Sequence, residues 1–171
     1  FYWFGESAAQ GFPRAQQLLG ERYENGYGTA KNVKKPVELY KQAHENGSAA
    51  GSCSLGLCYE LGMGVPEDKA KAVELYRHAA QRGLSRAQCN LGYCYYEGIG
   101  VERDNDQAYY WFAQAAEQDN ARAQCMLGLC YETGRGVAED KRKATECYRQ
   151  AAENGNVTAM CNLGYCYYVG V

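Results

Sequence analysis

Nine cysteines and two histidines are the residues of this sequence best suited to chemistry. Eight of the cysteines form four pairs, Cys53/Cys58, Cys89/Cys94, Cys125/Cys130 and Cys161/Cys166. Thiols can hold soft metal ions, close disulfides or act as nucleophiles, so spacing must decide among these roles. Five residues along a helix turn about 140° around its axis, so the two sulfurs of a pair point apart. They cannot bond each other or share one ion well. Structural zinc calls for two to four residues between paired cysteines with turns between ligands; each pair here has four residues between its members, but they run along one helix with no turn. The ninth cysteine, Cys147, stands alone at a position otherwise held by Leu39, Leu75 and Trp111, which marks a core site. His44 and His78 have no carboxylate or thiol at catalytic spacing and read as structural or surface residues. No catalytic residue, metal ligand or cofactor is expected.

Composition narrows the field further. Hydrophobic residues make up 46% of the 171 residues and charged residues 22%, enough apolar material for a core. The net charge of −2 and the lack of a basic stripe argue against nucleic acid as a partner. No apolar run approaches the roughly 20 residues that a membrane span requires, so membrane insertion is not expected. The chain opens on Phe-Tyr-Trp-Phe without a starting Met, which suggests part of a longer chain.

The cysteines are positioned by a repeat. Leu-Gly recurs at 19–20, 55–56, 91–92, 127–128 and 163–164, always 36 residues apart. In the same register come an opening small residue (Ala15, Gly51, Ala87, Ala123, Ala159), a tyrosine (Tyr23, Tyr59, Tyr95, Tyr131, Tyr167) and a Gly-x-Gly. Next are an Asp (Asp68, Asp104, Asp140), an aromatic (Tyr40, Tyr76, Phe112, Tyr148) and a closing Ala-Ala in most units. Apolar spacings of three and four predict an amphipathic first helix of about eleven residues from the opening small residue. Gly-x-Gly ends it in the left-handed region. The Asp caps a second helix, which closes at Gly47, Gly83 and Gly155. Asp119 departs from that pattern, and Asn120 is expected to take the left-handed position there. In the unit 15–50, Asn32 and Pro36 replace the Asp and an Ala, predicting a later start for the second helix. Such pairs bury both faces only by stacking. The expected fold is all-α, a right-handed α-solenoid of 36-residue helix–loop–helix repeats. It forms one array over 1–171, with full repeats at 15–50, 51–86, 87–122 and 123–158 and partial repeats at 1–14 and 159–171.

The pattern A-x3-LG-x2-Y-x2-G-x-GV-x2-D-x3-A, followed by the aromatic and Ala-Ala, resembles the Sel-one-like repeat, a longer-looped relative of the tetratricopeptide repeat. The segment 123–155 matches almost without gaps. The resemblance implies a scaffold or adaptor that binds a protein or peptide. It also raises two alternatives: a secreted relative that binds or hydrolyses β-lactams, and a thiol-based metal or haem binder. The family's cysteine-rich secreted branch carries a Cys near the second-helix Ala-Ala. Here those positions are Ala79-Ala80, Ala115-Ala116 and Ala151-Ala152, so free thiols in a reducing, cytoplasmic compartment are expected, with the endoplasmic reticulum lumen or secretion as alternatives.

In tetratricopeptide arrays the first-helix positions opposite the core line a concave groove. Numbering each unit from its opening residue, these are positions 3, 7, 10 and 11. The resemblance therefore assigns partner contact to Glu21 and Glu24, to Cys53, Leu57, Glu60 and Leu61, and to Cys89, Tyr93, Tyr96 and Glu97. It extends to Cys125, Leu129 and Glu132, and to Cys161, Tyr165 and Tyr168. The second cysteine of each pair is assigned to the core.

Overall fold

The computed structural model describes residues 2–170. Among them are ten α-helices and no strand. They fall into two compact units, residues 1–84 and 85–171. The first unit holds α1 (Tyr2–Ala9), α2 (Pro13–Asn25), α3 (Lys35–Glu45), α4 (Ala49–Leu61) and α5 (Lys69–Gln81). The second holds α6 (Ser85–Glu97), α7 (Asn105–Ala116), α8 (Ala121–Thr133), α9 (Lys141–Glu153) and α10 (Val157–Val169). Within each unit every helix packs on the next in sequence, and in the first unit α2 also packs directly on α4.

The local signals act as the sequence leads one to expect. Asp68, Asp104 and Asp140 each accept the backbone N–H three residues on, at 2.9, 3.0 and 3.0 Å. Gly62 and Gly134 end α4 and α8 with φ of 64° and 66°. In the first repeat Asn32 Oδ1 accepts from both Lys34 and Lys35 N–H at 2.9 Å. The second helix there begins at Lys35, two residues later than its equivalents at Lys69, Asn105 and Lys141.

Two expectations need correction. The left-handed residue before α8 is Asp119, at φ 57°, and not Asn120. Asn120 instead caps α8 by accepting the Ala123 N–H at 3.0 Å. The first helices also begin two residues before the repeat's opening Ala or Gly. Ser48 and Asn156 cap α4 and α10 as Asn120 caps α8. A capping side chain three residues before a small apolar residue is a helix start, and that signal precedes the small residue used to set the register.

Each helix pair closes on one contact. The Gly of Leu-Gly lies under the aromatic of the following helix. A Cβ at Gly56, Gly92 or Gly128 would come within 2.8, 2.8 and 2.7 Å of the rings of Tyr76, Phe112 and Tyr148. Those rings are 0% exposed. In the first unit the core gathers Val37, Tyr40, Leu55, Cys58 and Leu75. In the second, Ala108, Phe112 and Cys130 pack with Tyr96, and Cys125 packs with Ala144, Tyr148, Ala151, Ala159 and Cys166.

Candidate functional site: the first-helix face

A tyrosine buried by its ring must still satisfy its hydroxyl. In three repeats the acceptor is a glutamate sixteen residues earlier, at position 10 of the first helix. Tyr40 donates to Glu24 Oε2 at 2.7 Å, Tyr76 to Glu60 Oε2 at 2.5 Å, and Tyr148 to Glu132 Oε2 at 2.6 Å. Burial, and then the bond to the carboxylate, hold the Tyr40 and Tyr148 protons well above the usual phenol range. In the repeat 87–122 both partners change together. Phe112 has no hydroxyl, and Tyr96 stands in the place of the glutamate. The two rings meet with centroids 6.2 Å apart. This coupled exchange was visible in the sequence, and it distinguishes a glutamate that bonds a tyrosine from one that is simply solvated.

The face expected to form a groove is only partly open. Cys53, Cys89 and Cys125 are buried, at 1%, 2% and 7% exposed, so their assignment to an accessible surface is corrected. The cause is visible in the second unit. Cys89 packs with Ala115 and Ala123, and Cys125 with Ala151 and Ala159. The small opening residue of the next first helix lets that helix come in over position 3. Cys161 is exposed. Tyr96 is also buried, at 6% exposed, between Phe112 and the Arg135 guanidinium, which lies 4.7 Å from its ring centroid. Its assignment as an open contact is likewise corrected.

The rest of the face remains accessible. In the first unit Glu21, Glu24, Leu57 and Glu60 are half-buried and Leu61 is 57% exposed. In the second unit Tyr93, Leu129 and Glu132 are half-buried, while Glu97, Tyr165 and Tyr168 are exposed. Tyr93 carries the Arg122 guanidinium 5.0 Å from its centroid. Behind the face of the first unit, Glu24, Asn25, Lys31, Val33, Pro36, Cys58 and Met63 line a recess of about 200 Å³.

The thiols are not arranged for nucleophilic catalysis. Burial pushes Cys58 to about 11, Cys130 to about 12 and Cys147 to about 11, and raises Cys125 as well. A reactive thiolate needs the opposite shift. Cys58, Cys94, Cys130 and Cys166 lie in the core, and Cys147 is half-buried. Among the described residues no group of three or more His, Cys, Asp or Glu is placed to hold a metal ion. No helix among them is long and apolar enough to cross a membrane.

The histidines prove to be partners. His44 Nδ1 lies 2.8 Å and His78 Nδ1 3.1 Å from Ser52 Oγ, with the two rings edge-on at 5.1 Å. Ser52 occupies the position of the buried Gln16, Gln88 and Gln124, and His44 that of Ala8, Ala80 and Ala116. A smaller residue on one helix is matched by a larger one on its neighbour. Ser52 is 0% exposed, so no substrate reaches its hydroxyl.

Helix pairs repeating every 36 residues, each locked by a glycine under an aromatic ring, define an all-α helical-repeat solenoid protein. The Sel1 repeat model matches residues 13–48, 49–84, 85–120, 121–156 and 157–171, and the chain belongs to the Sel1 repeat family. These units begin two residues before those read from the opening Ala, where the helices themselves begin. Proteins of this family are generally protein-interaction scaffolds.

Among solved structures, the chain is similar to a protective antigen of uropathogenic Escherichia coli strains displaying an SLR fold. The identity is 40% over 99% of this chain and 36% of that one, with a TM-score of 0.92. A Sel1 repeat protein from Oxalobacter formigenes is 38% identical over 93% of this chain and 63% of its own, with a TM-score of 0.86. The cysteine-rich protein B of Helicobacter pylori shares the fold at 22% identity and a TM-score of 0.61, over 78% of this chain and 96% of its own. The chain thus spans about a third of the first of these relatives and just under two thirds of the second. No curated protein matches it.

Proposed function

We propose that this chain is a scaffold segment that holds a partner protein or peptide against the open residues of its first helices. The contact residues are Glu21, Glu24, Leu57, Glu60 and Leu61 in the first unit. In the second they are Tyr93, Glu97, Leu129, Glu132, Tyr165 and Tyr168. The observation that carries this reading is position 7 of the repeat. It holds Glu21 in the first repeat and the large side chains of Leu57, Tyr93, Leu129 and Tyr165 in the next four, and none of them is buried. Tyr93 and Leu129 lean partly on the core of the second unit, yet each keeps accessible surface, as do Leu57 and Tyr165. Apolar anchors set among carboxylates and hydroxyls are the composition of a peptide-binding surface. Tyr93 presents a rigid ring at low entropic cost.

The test is site-specific photocrosslinking. Benzoylphenylalanine replaces Leu61 or Tyr93 in the first-helix face, or Glu74 on the outward side of α5. The full chain is then irradiated in extract of its source cell. The reading expects one partner captured from Leu61 and Tyr93 and not from Glu74. Equal capture from all three positions, or capture from Glu74 alone, overturns it.

A further inference from the structure

The face of the first unit carries three carboxylates, Glu21, Glu24 and Glu60, whose hydrogen-bond partners are neutral. Glu24 and Glu60 each spend Oε2 on a neutral tyrosine hydroxyl, at 2.7 and 2.5 Å. Glu21 accepts a neutral amide, Gln17 Nε2, at 2.8 Å. Two ion pairs of this unit, Lys41–Glu45 and Lys69–Glu67, lie elsewhere. Lys31 lines the recess beside Glu24 without pairing with it. Glu21 and Glu24 sit one turn apart on α2, on one face of the helix. Because α2 packs directly on α4, Glu60 occupies the equivalent place roughly 10 Å away.

Gln17 serves to hold Glu21: its amide nitrogen is committed to that carboxylate, and its Oε1 is buried out of reach of a partner. Leu57 and Leu61 flank the same carboxylates with apolar surface. A side chain with several N–H donors, positive charge and an apolar neighbour suits all of these features at once.

We infer that the first unit's face recognises a basic amphipathic protein segment, with Lys or Arg side chains set against Glu21, Glu24 and Glu60 and an apolar side chain on Leu57 and Leu61. This rests on the proposed function and names the chemistry of the partner for that unit. The second unit differs. There the position-10 residue is Tyr96 in its first repeat, and Arg122 and Arg135 lie over Tyr93 and Tyr96.

The probe is a fluorescein-labelled 14-residue helical peptide with leucine at positions i, i+3 and i+7 and lysine on both flanks of that stripe. Its control has every lysine replaced by glutamate. Binding to the full chain is read by anisotropy at low and high salt. The E24Q/E60Q variant removes two charges yet keeps an acceptor for Tyr40 and Tyr76, so folding is retained and is checked by circular dichroism. The expected result is binding of the lysine peptide alone, weakened by salt. E24Q/E60Q should bind it about three- to tenfold more weakly. E38Q/E74Q, the same charge change on the outward second helices, should bind it as the wild type does.

Equal weakening by E24Q/E60Q and E38Q/E74Q would show non-specific attraction and overturn the inference. If L57S/L61S abolishes binding of both peptides while E24Q/E60Q changes nothing, the face binds partners but does not select charge. If neither pair of substitutions has an effect, the proposed binding face falls as well.

Discussion

The bond between the position-10 glutamate and the buried tyrosine can be measured directly, by a double-mutant cycle on Glu60 and Tyr76. The Tyr76 ring is 0% exposed and its hydroxyl lies 2.5 Å from Glu60 Oε2. Removing the carboxylate in E60A leaves a buried hydroxyl without an acceptor, at a cost of about 1–3 kcal/mol. For a chain of this length, about 2 kcal/mol lowers the melting temperature by roughly 4–8 °C. The reverse change, Y76F, is milder. Glu60 is only half-buried and can turn to water, so about 1 kcal/mol is expected. Once the hydroxyl is gone, losing the carboxylate costs little. The double variant E60A/Y76F should therefore be more stable than the sum of the single changes by about 1–2 kcal/mol. Urea unfolding of all four proteins, followed by circular dichroism, gives the coupling. The repeat 87–122 already holds the double exchange, as Tyr96 with Phe112, and folds with it. Additivity within about 0.5 kcal/mol would refute the claim that the glutamate is there to satisfy the tyrosine.

Further outcomes follow from the same structure. Of the nine thiols, Cys161 should react first with a thiol reagent at pH 7.5, and Cys58, Cys130 and Cys147 slowly, because burial raises them; mass spectrometry of the labelled sites checks the order, and rapid labelling of Cys130 in folded protein would contradict it. G92A drives a methyl group into the Phe112 ring, 2.8 Å away, and should destabilise by about 1–3 kcal/mol in thermal melts. D104A removes the cap on Gln107 N–H and should cost about 1 kcal/mol. Burial, and then the neighbouring His78, lower the pKa of His44. The unfolded chain therefore binds the proton more readily. The contribution of His44 is complete above its unfolded value near 6.5 and is lost as pH falls through the lower folded value. Melting temperature should drop between pH 7.5 and 5.5 by more in wild type than in H44A, and equal drops would refute the assignment.

The helix pairs were legible because the signals recurred in one register, Leu-Gly five times, Gly-x-Gly four times and the capping Asp three times. Leu-Gly, the capping Asp and the Gly-x-Gly each needed only local chemistry to interpret. The faces of the helices were harder. Azimuth alone put Cys53, Cys89 and Cys125 opposite the core. The structure buries them, because the small Ala and Gly residues let the next first helix close over position 3. A single-helix projection contains no neighbour and cannot show that. Tyr96 was misplaced for a related reason: it resembles an exposed groove tyrosine until Phe112 is seen to lack the hydroxyl that its repeat partners carry. The links from Glu24 to Tyr40 and from Ser52 to His44 and His78 span helices, and comparing substitutions between repeats was the one route to them.

The central claim is that the open first-helix residues hold a partner. The most direct measurement is titration calorimetry of the partner captured at Leu61 against the wild-type chain and L57A/L61A. Both side chains lie outside the buried core, so the variant should melt within a few degrees of wild type. The account predicts binding weakened at least about tenfold, the loss of two apolar anchors of roughly 1 kcal/mol each. Unchanged affinity in a folded variant would contradict it.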